Sequence, residues 1–488
     1  MFKDLNRTIE AVKREFGRPQ ILVVGDLILD RYLWGRVDRI SPEAPVPVVH
    51  LEHRAKTPGG AANVAHNLAR LGCEVSLAGI IGDDTDGTDL LETLATIGVE
   101  TSNVQRVSGR PTTVKTRVVG GHQQMLRIDS EDRSGLSASD YERLLDALLP
   151  TVSHYSALIL SDYAKGTLGG EVCQRLISEA RGVHVPVFVD PKGLNYQKYA
   201  GATMICPNRA EIALATRIST DDSELLLEKT EELRANLGID FVALTLSEQG
   251  IAMFEAGSTY QCAAKAREVF DVSGAGDTVI ATLAAAFTSG LAPYDCAQLA
   301  NAAAGIVIGK VGTVAVARDE LLATLSRESL TRVSNKVCSL GELSDNLAVW
   351  RSDGERIVFT NGCFDLLHLG HVTLLQCAKH EGDRLVVGLN SDESVRILKG
   401  PDRPVIGELE RAQMLASVSY VDAVIIFNDE TPLDLIRNLR PDVLVKGADY
   451  KERDIVGATE VRSWGGRVAV IPLVEGHSTT KLLTRLSR

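Results

Sequence analysis

Short apolar runs alternate with stretches of helical periodicity along most of this 488-residue chain, and the alternation occurs in two separate series. The first series has runs at 20–26, 75–81, 157–161, 185–190, 203–206 and 241–246, and the second has runs at 356–360, 384–390, 422–427, 443–446 and 467–471. Strands that alternate with amphipathic helices form parallel sheets covered by helices on both faces. The pattern therefore predicts an α/β chain with one such sheet in each part.

The region between the two series is polar and rich in serine, as linkers often are. A chain of 488 residues is also too long for one ordinary hydrophobic core. We therefore predict a first domain at 1–330, a linker at 331–353 and a second domain at 354–488.

Two segments in the first part break the alternation, at 45–52 and 112–129. The second contains the sequence VVGGHQ, which is typical of a tight β-hairpin. Antiparallel strands inserted into a βα chain favour a flap over a binding site.

Positive charge in and near this flap is a candidate binding feature for a phosphorylated sugar. Lys115, Arg117 and Arg127 lie in the hairpin, and Lys165 follows a predicted strand. With the two central glycines as a two-residue loop, Lys115 and Arg117 share one face and Arg127 lies on the other. The alternative is an ordinary solvated strand face.

Charge and composition restrict the partners. The chain has 52 basic and 64 acidic residues and a net charge of -12, and its basic residues are dispersed rather than clustered, which argues against nucleic-acid binding. Residues 1–17 lack the apolar core of a signal peptide, and no apolar run is long enough to cross a bilayer. The eight cysteines include no CxxC pair, so we expect a cytoplasmic protein without disulfides, structural zinc or a membrane partner.

A glycine-rich segment, DVSGAGDT at 271–278, precedes an alanine-rich run of helical character. Backbone N–H groups at a helix N-terminus bind anions, so Gly274, Ala275 and Gly276 are predicted to form an anion hole. Asp277 stands where a carboxylate can take a proton from an attacking hydroxyl. Two alternatives exist: a structural, N-capped helix, or a dinucleotide-binding turn, whose third glycine is replaced by Val279.

A second glycine-rich turn, PGGAAN at 58–63, also leads into a predicted helix. Together with the segment at 271–278, it resembles the two signatures of the ribokinase/PfkB family of sugar kinases, and the resemblance covers 20–317. The family implies a ribokinase-like three-layer α/β domain with a β flap, and phosphoryl transfer from ATP with Mg2+ carried by the nucleotide. By analogy with the family, a homodimer forms through the kinase domain.

The resemblance also implies roles for individual residues. Asp277 would be the catalytic base. The sugar contacts would be Asp26, Asp30, Gly59, Gly60 and Asn63, to which the charge argument adds Lys165. The nucleotide contacts would be Asn208, Arg209, Ala210 and Glu211, from an Asn-x-x-Glu motif, together with Thr245 and Gly250. Glu211 would lie in the shell of the Mg2+, which would have no direct protein ligand.

A second signature follows the first strand of the second series. That strand leads into NGCFD at 361–365 and then into HLGH at 368–371. His368 and His371 are three residues apart, which places both on one helical turn at the carboxyl end of a parallel strand, where nucleotides bind. Because Cys363 and Asp365 are also ligand types, a metal site is the alternative, although the spacing matches no common zinc pattern.

This second part resembles the HxGH nucleotidyltransferase superfamily over 356–486. The family implies a Rossmann-like domain in which a phosphate of the second substrate attacks the α-phosphorus of a nucleoside triphosphate and pyrophosphate leaves. His368 and His371 would stabilise the transition state. The nucleotide contacts would be Thr360, Asn361, Phe364, Asp365, Lys399, Lys446, Ser478, Thr479 and Thr480.

A sugar kinase joined to a nucleotidyltransferase makes chemical sense if the kinase phosphorylates an anomeric oxygen, because nucleotide-sugar synthesis starts from a sugar 1-phosphate. The order of the two parts, with the segments RISPEAPVPV, SDYAKG and VKGADY, resembles the bacterial heptose 7-phosphate kinases fused to heptose 1-phosphate adenylyltransferases. That family implies ATP and phosphorylated heptose as substrates, ADP-heptose for the lipopolysaccharide core, and a phosphatase on another chain that acts between the steps.

Three other functions stay open at this point. The second part could use CTP, because the HxGH pattern does not select a base. The first part could be a sugar-binding or dimerising module without chemistry, or the whole chain could be a regulatory scaffold. The intact Asp277 and the two complete site sequences argue against these last two.

Overall fold

The structure is a computed structural model that describes residues 2–121, 123–132, 134–220, 222–264, 271–310, 312–352, 354–448 and 455–472. It divides into two compact units, Met1–Ser326 and Arg327–Arg488. Within the described ranges, no helix is both long and apolar enough to span a membrane.

The first unit is built on one large sheet. Its strands are β1 (Gln20–Ile40), β2 (Pro47–Gly60), β3 (Glu74–Gly82), β4 (Glu100–Val107), β5 (Thr113–Gly120), β6 (Gln123–Ser130), β7 (Ala157–Ser161), β8 (Val187–Asp190), β9 (Met204–Ile205), β10 (Phe241–Thr245), β11 (Ile251–Glu255) and β12 (Ser258–Cys262). The main sheet has the order β12-β11-β10-β9-β8-β7-β1-β3-β4, parallel except for the antiparallel β10-β11-β12 edge.

Helices cover both faces of this sheet. They are α1 (Leu5–Lys13), α2 (Ala61–Leu71), α3 (Thr85–Ile97), α4 (Ala138–Leu148), α5 (Gly170–Gly182), α6 (Arg209–Thr216), α7 (Ser223–Asn236), α8 (Ala275–Thr288), α9 (Pro293–Val307) and α10 (Arg318–Asn335). One apolar core joins α1, α2, α8 and α9 to the sheet, and a second joins α4, α5, α6 and α7 to its other face. The three-layer α/β prediction is confirmed.

The flap grows directly out of the main sheet. Strand β1 is 21 residues long: its first part, from Gln20 to Asp26, pairs with β3, and its continuation pairs with β2 and β5 instead. Its residues are buried in the main sheet and become exposed towards its end. Strand β6 pairs with β5 and is exposed throughout. The predicted β flap is therefore confirmed, as an extension of the central strand.

The predicted face of one flap residue is wrong. Strands β5 and β6 have a register shift between Val118 and Val119, and beyond it Arg117 lies directly opposite Arg127. Residues opposite each other in an antiparallel pair share a face of the sheet. A register shift changes the alternation of side chains, so Arg127 lies on the same face as Lys115 and Arg117.

The second unit has a five-stranded parallel sheet. Its strands are β13 (Ile357–Gly362), β14 (Arg384–Asn390), β15 (Ala423–Phe427), β16 (Val443–Gly447) and β17 (Arg467–Ile471), in the order β15-β14-β13-β16-β17. Its helices are α11 (Leu340–Ser352), α12 (Leu369–His380), α13 (Asp392–Lys399), α14 (Glu408–Ala416), α15 (Leu433–Leu439) and α16 (Ala458–Ser463). This is the predicted Rossmann-like arrangement.

The segment at 331–353 is not a free linker. Helix α11 lies within it, and Leu343 and Leu347 are buried in the core of the second unit beside Ile357 and Phe359. Its serines lie between apolar residues that keep a helical spacing, so the segment still buries one face.

Candidate functional sites

The glycine-rich loop of the first unit ends at the N-terminus of helix α8. Gly274 is the N-cap with a φ of +79°, and a Cβ at this position would lie 2.8 Å from Asn63 Nδ2, so only glycine fits. A Cβ on Gly276 would meet open space. The N–H of Ala275 donates to Val272 O at 3.2 Å, so that donor of the predicted anion hole is already engaged.

Asp277 lies in the first turn of helix α8 and is held from both oxygens. Asn63 Nδ2 donates to its Oδ2 at 2.6 Å, and Tyr163 Oη donates to its Oδ1 at 2.6 Å. The residue is only 4% exposed. A carboxylate has further lone pairs, so these two bonds leave it able to accept a proton.

Burial raises the pKa of Asp277 to about 6, against the opposing effect of the hydrogen bonds from Tyr163 and Asn63. The charge of Asp30 raises this pKa and that of Lys115 lowers it. A group with a pKa near 6 is mostly ionised at neutral pH and can still hold a proton during a reaction, which suits a general base.

The second glycine-rich turn brings helix α2 to the same place. Gly60 is the N-cap of α2, and a Cβ there would lie 2.6 Å from Asp26 O, while a Cβ on Gly59 would lie 2.7 Å from Asp30 Oδ2. Asn63 is fully buried and uses its amide to hold Asp277. Asn63 thus contacts the carboxylate of Asp277, and its role as a sugar contact stays a prediction.

Asp26 supports a loop. It is 1% exposed, and its carboxylate accepts the backbone N–H groups of Tyr163, Lys165 and Thr167 at 2.8, 2.9 and 3.0 Å. These three bonds hold the loop that carries Tyr163, and the sugar contact of Asp26 stays a prediction.

Asp30 sits where the flap meets the main sheet. Arg117 Nη1 donates to its Oδ1 at 2.6 Å, and Thr313 Oγ1 donates to its Oδ2 at 3.1 Å. The Arg117 guanidinium also lies 5.3 Å from the ring centre of Tyr32. The predicted sugar contact thus has a buried cationic partner.

The other predicted basic groups have different surroundings. Lys115 Nζ lies 5.3 Å from the ring centre of Tyr163, and burial lowers its pKa, as do the charges of Lys165, Arg117 and Arg127. The register of strands β5 and β6 places Lys115, Arg117 and Arg127 on one face of the sheet. Lys165 forms an ion pair with Glu131 at 2.5 Å, and Arg127 forms a two-bond pair with Asp129.

The Asn-x-x-Glu motif forms a capping box at the start of helix α6. Asn208 Oδ1 accepts the N–H of Glu211 at 2.9 Å, and Glu211 Oε2 accepts the N–H of Asn208 at 2.9 Å. Glu211 Oε1 also pairs with Lys192 Nζ at 2.7 Å. Arg209 donates to Ser223 Oγ, and Ala210 is exposed.

The two remaining nucleotide candidates of this unit lie beside the capping box. Thr245 donates its N–H to Pro207 O at 2.9 Å and forms an isolated parallel β-bridge with Asn208. Gly250 has a φ of +91°, and a Cβ there would lie 2.1 Å from Cys262 O, so only glycine fits at this position.

The region between the base and the capping box is strongly acidic. The pKa of Asp190, at the end of strand β8, is raised well above its usual range by burial and by the charges of Asp277 and Glu211. Negative charge concentrated in this way fits a bound Mg2+. Among the described residues, no group of three or more His, Cys, Asp or Glu side chains could hold a metal by itself.

The two histidines of the second unit stack on each other at the start of helix α12. His368 is the N-cap, and its Nδ1 accepts the N–H of His371 at 3.4 Å. The two ring centres are 3.8 Å apart and the planes differ by 14°. Phe364 has a φ of +44°, and its ring lies 5.1 Å from that of His371.

Burial lowers the pKa of His371 to about 4, and the charges of His368 and Lys399 lower it further. His371 is therefore neutral at physiological pH and can offer an N–H to a phosphate oxygen. Lys399 is exposed at the end of helix α13, and its effect on His371 places its charge nearby.

Two predicted nucleotide contacts, Thr360 and Asn361, lie at the end of strand β13, and a third, Lys446, lies near the end of strand β16. The Thr360 hydroxyl is fully buried and donates to Val445 O at 3.1 Å. Lys446 Nζ donates to Asn361 O at 3.1 Å. Asn361 Oδ1 is buried and accepts no hydrogen bond from the described part of the chain. Thr360 thus joins two strands, whereas Asn361 keeps an acceptor for a ligand.

Asp365 has a structural partner set. It forms an ion pair with Arg403 and accepts the N–H groups of Val405 at 2.6 Å and Ile406 at 3.4 Å. These bonds hold residues 403–406, and the nucleotide contact of Asp365 stays a prediction. Ser478, Thr479 and Thr480 lie outside the described residues.

Arg411, which was not predicted as a site residue, holds backbone segments beside this site. It is 1% exposed, and it donates to the backbone oxygens of Cys363, Asn390 and Ile406 at 2.6, 2.9 and 2.9 Å. It also pairs with Asp392 at 2.6 Å.

Tyr163 and Asp190 were missed in the first unit in the same way. Both lie at or just beyond the carboxyl ends of parallel strands, which is the general location of ligand sites in such sheets. That position was the available signal in the sequence.

Comparison with known families agrees with both sites. A family model described as pfkB family carbohydrate kinase matches residues 18–320, and one described as Cytidylyltransferase-like matches residues 359–485.

Relatives of full length are also found. The Bifunctional protein HldE of Methylobacillus flagellatus is 51% identical and covers 98% of this chain and 99% of its own length. That of Magnetococcus marinus is 49% identical with the same coverage, 98% and 99%. These relatives therefore contain both parts of the chain in the same order.

Solved structures resemble the first unit in fold. Phosphofructokinase-2 from Escherichia coli, in complex with potassium, has a TM-score of 0.54 and 17% identity and covers 64% of this chain and 99% of its own. Arabidopsis thaliana ribokinase, complexed with ribose and ATP, has a TM-score of 0.51 and 22% identity and covers 63% and 98%.

Proposed function

The chain belongs to the family of bifunctional HldE proteins, and from this premise we propose how its two sites divide the work. It is a bifunctional transferase of ADP-heptose synthesis. One activity transfers the γ-phosphoryl group of ATP to the anomeric hydroxyl of heptose 7-phosphate and gives the 1,7-bisphosphate. The other transfers the adenylyl group of ATP to heptose 1-phosphate and gives ADP-heptose and pyrophosphate.

In the kinase, Asp277 acts as general base. Its carboxylate takes the proton of the anomeric hydroxyl as the oxygen attacks the γ-phosphorus and ADP leaves. The N-terminus of helix α8 offers positive potential to the transferred group. The observation that carries this proposal is the buried Asp277 carboxylate, held by Asn63 and Tyr163, in the first turn of that helix.

The substrate already carries a phosphate, and the flap supplies suitable charge. Lys115, Arg117 and Arg127 share one face of the flap, and the charge of Lys165 also acts on Lys115. Charge-assisted hydrogen bonds from such groups bind phosphate strongly. We assign the 7-phosphate to this cluster, with Asp30 on its sugar side.

In the transferase, the histidines act without accepting a proton. Neutral His371, stacked on His368, offers an N–H to an oxygen of the α-phosphate while the heptose 1-phosphate oxygen attacks. Lys399 and Lys446 are placed to offset charge on the leaving pyrophosphate, and the buried Asn361 acceptor suits the nucleotide.

Both activities are proposed to use ATP with Mg2+, which neutralises phosphate charge when bound. The acidic region formed by Asp190, Glu211 and Asp277 is where the kinase would receive it. Glu211 already bonds to Lys192 and to its own helix N-terminus, so it would act on the metal through water.

Three wider expectations complete the proposal. A phosphatase on another chain removes the 7-phosphate between the two steps, since the kinase product still carries it. The protein forms a homodimer through the flap, where β6 is an exposed edge strand that bears Met125, Leu126 and Ile128. All eight cysteines are free thiols, as the cytoplasm favours.

Phosphorus NMR tests the assignment. The purified protein with Mg-ATP and heptose 7-phosphate should give a new anomeric phosphate signal. With heptose 1-phosphate it should give a pyrophosphate diester and free pyrophosphate, more readily with ATP than with CTP. Activity on another sugar alone, or a preference for CTP, would contradict the substrate assignment.

A further inference from the structure

Tyr163 makes a contact that the reaction scheme above does not require. Its hydroxyl donates to Asp277 Oδ1 at 2.6 Å, on the side of the carboxylate opposite to Asn63. We propose that Tyr163 is a positioning residue of the phosphoryl-transfer base: its hydroxyl fixes the orientation of the Asp277 carboxylate and stabilises its charged form. This inference rests on the proposed role of Asp277 as the base.

The direction of the hydrogen bond is fixed by chemistry. The pKa of Tyr163 is raised well above its usual range by burial and by the negative charge of Asp277, so the phenol keeps its proton throughout the physiological pH range. An ionised carboxylate can only accept. While Asp277 is ionised, Tyr163 is therefore the donor, and the bond is charge-assisted, which makes it stronger than a neutral one.

The position of the hydroxyl is set by the chain around it. The backbone N–H of Tyr163 donates to the buried carboxylate of Asp26, which also binds the loop at Lys165 and Thr167. On the other side of the ring lies Lys115 Nζ, 5.3 Å from the ring centre. Both the backbone and the ring are thus anchored, so the hydroxyl is held against Asp277.

This arrangement explains how a buried carboxylate remains a usable base. Burial favours the neutral form of Asp277, and the negative charge of Asp30 acts in the same direction. The hydrogen bonds from Tyr163 and Asn63 and the charge of Lys115 oppose this effect. Loss of the Tyr163 bond should therefore raise the pKa of Asp277.

The experiment compares pH profiles of the kinase activity of the full chain with Tyr163→Phe. Losing one hydrogen bond to an ionised group should move the acid limb of both kcat/KM and kcat upward by about one pH unit. The loss of activity should accordingly grow to about tenfold well below pH 6 and shrink at high pH. Titration of the substrate phosphates is common to both proteins, so it cancels in the comparison.

A matched control separates this effect from simple loosening of the loop. Tyr141 Oη donates to the backbone oxygen of Gly166 in the same loop at 2.7 Å and is not bonded to Asp277. Tyr141→Phe removes a hydroxyl that bonds to the same loop from helix α4, and its acid limb should coincide with that of the wild type. The thermal unfolding transition of the first unit in each variant reports whether that unit is folded.

The outcomes are distinguishable. An unmoved acid limb in Tyr163→Phe, or an equal shift in Tyr141→Phe, would overturn the inference. A shift in kcat/KM without one in kcat would also overturn it, because the bond would then be absent when substrate is bound. Full kinase activity in Asp277→Asn would instead reject Asp277 as the base, and with it the proposed kinase mechanism.

Discussion

The two catalytic sites rest on buried charges of opposite sign. In the kinase, Asp26 accepts three backbone N–H groups and so fixes the loop that carries Tyr163. In the transferase, Arg411 donates to three backbone oxygens and so fixes the segments around Cys363 and Asn390. A buried charge is costly unless it is hydrogen-bonded. Asp26 and Arg411 each bond to backbone groups of loops that no helix or strand hydrogen bond pairs.

The reacting groups differ in a corresponding way. Burial raises the pKa of Asp277 to about 6 and lowers that of His371 to about 4. The same loss of water thus makes the Asp277 carboxylate a general base suited to neutral pH and keeps the His371 imidazole neutral, as a hydrogen-bond donor. The kinase site needs a proton acceptor and the transferase site needs none, and burial produces the suitable protonation state in each.

The largest effect is expected from Arg411→Met, which keeps much of the volume but removes the donors. Three backbone oxygens and Asp392 would be left in a dry environment, so the second unit should lose about 3–5 kcal/mol of stability. Differential scanning calorimetry should show the transition of one unit moving down while kinase activity persists at low temperature. An unchanged thermogram would show that the buried cation is not a main support of that site.

His371→Asn should lower adenylyl transfer by about 100–1,000-fold, because a donor aimed at the α-phosphate is lost. Steady-state rates of both activities measure this. The matched control is His380→Asn at the other end of the same helix, where the ring contacts Gln376 O. Equal losses in the two variants would mean that the helix, rather than the imidazole, is responsible.

Asp277→Asn should lower kinase turnover by at least about a hundredfold and leave adenylyl transfer intact. The folded-state pKa of about 6 exceeds the unfolded value, so the native state binds more protons between about pH 4 and 6 and loses stability as pH rises through that window. Between about pH 4 and pH 7 the stability of the wild type relative to Asp277→Asn should therefore fall by about 1–3 kcal/mol. A stability difference that does not change with pH over this range would contradict the raised pKa.

The sequence predicted the local parts of each site and missed the parts that depend on distant partners. The glycine-rich loop before α8 and the histidine pair of α12 are continuous in sequence, and both lie where helix and strand patterns placed them. The two α/β sheets and the flap also follow from alternation alone.

The misses have physical reasons. Arginine in an amphipathic helix usually indicates a solvated face, and nothing local shows that Arg411 meets three loop oxygens. Nor does the sequence show that distant backbone or side-chain groups bond to Asp26, Asn63 and Asp365. The shared face of Arg117 and Arg127 depends on a register shift that the hairpin sequence does not reveal.

The central claim is that burial moves the two reacting groups in opposite directions, and NMR titration of the full chain measures this directly. With carboxyl-13C aspartate and ring-15N histidine, signals would be assigned by their loss in Asp277→Asn and His371→Asn. The account predicts that the Asp277 carboxyl titrates near pH 6 and that the His371 ring stays neutral down to about pH 4. A carboxyl that titrates near pH 4 together with an imidazole that titrates near pH 6.5 would contradict it.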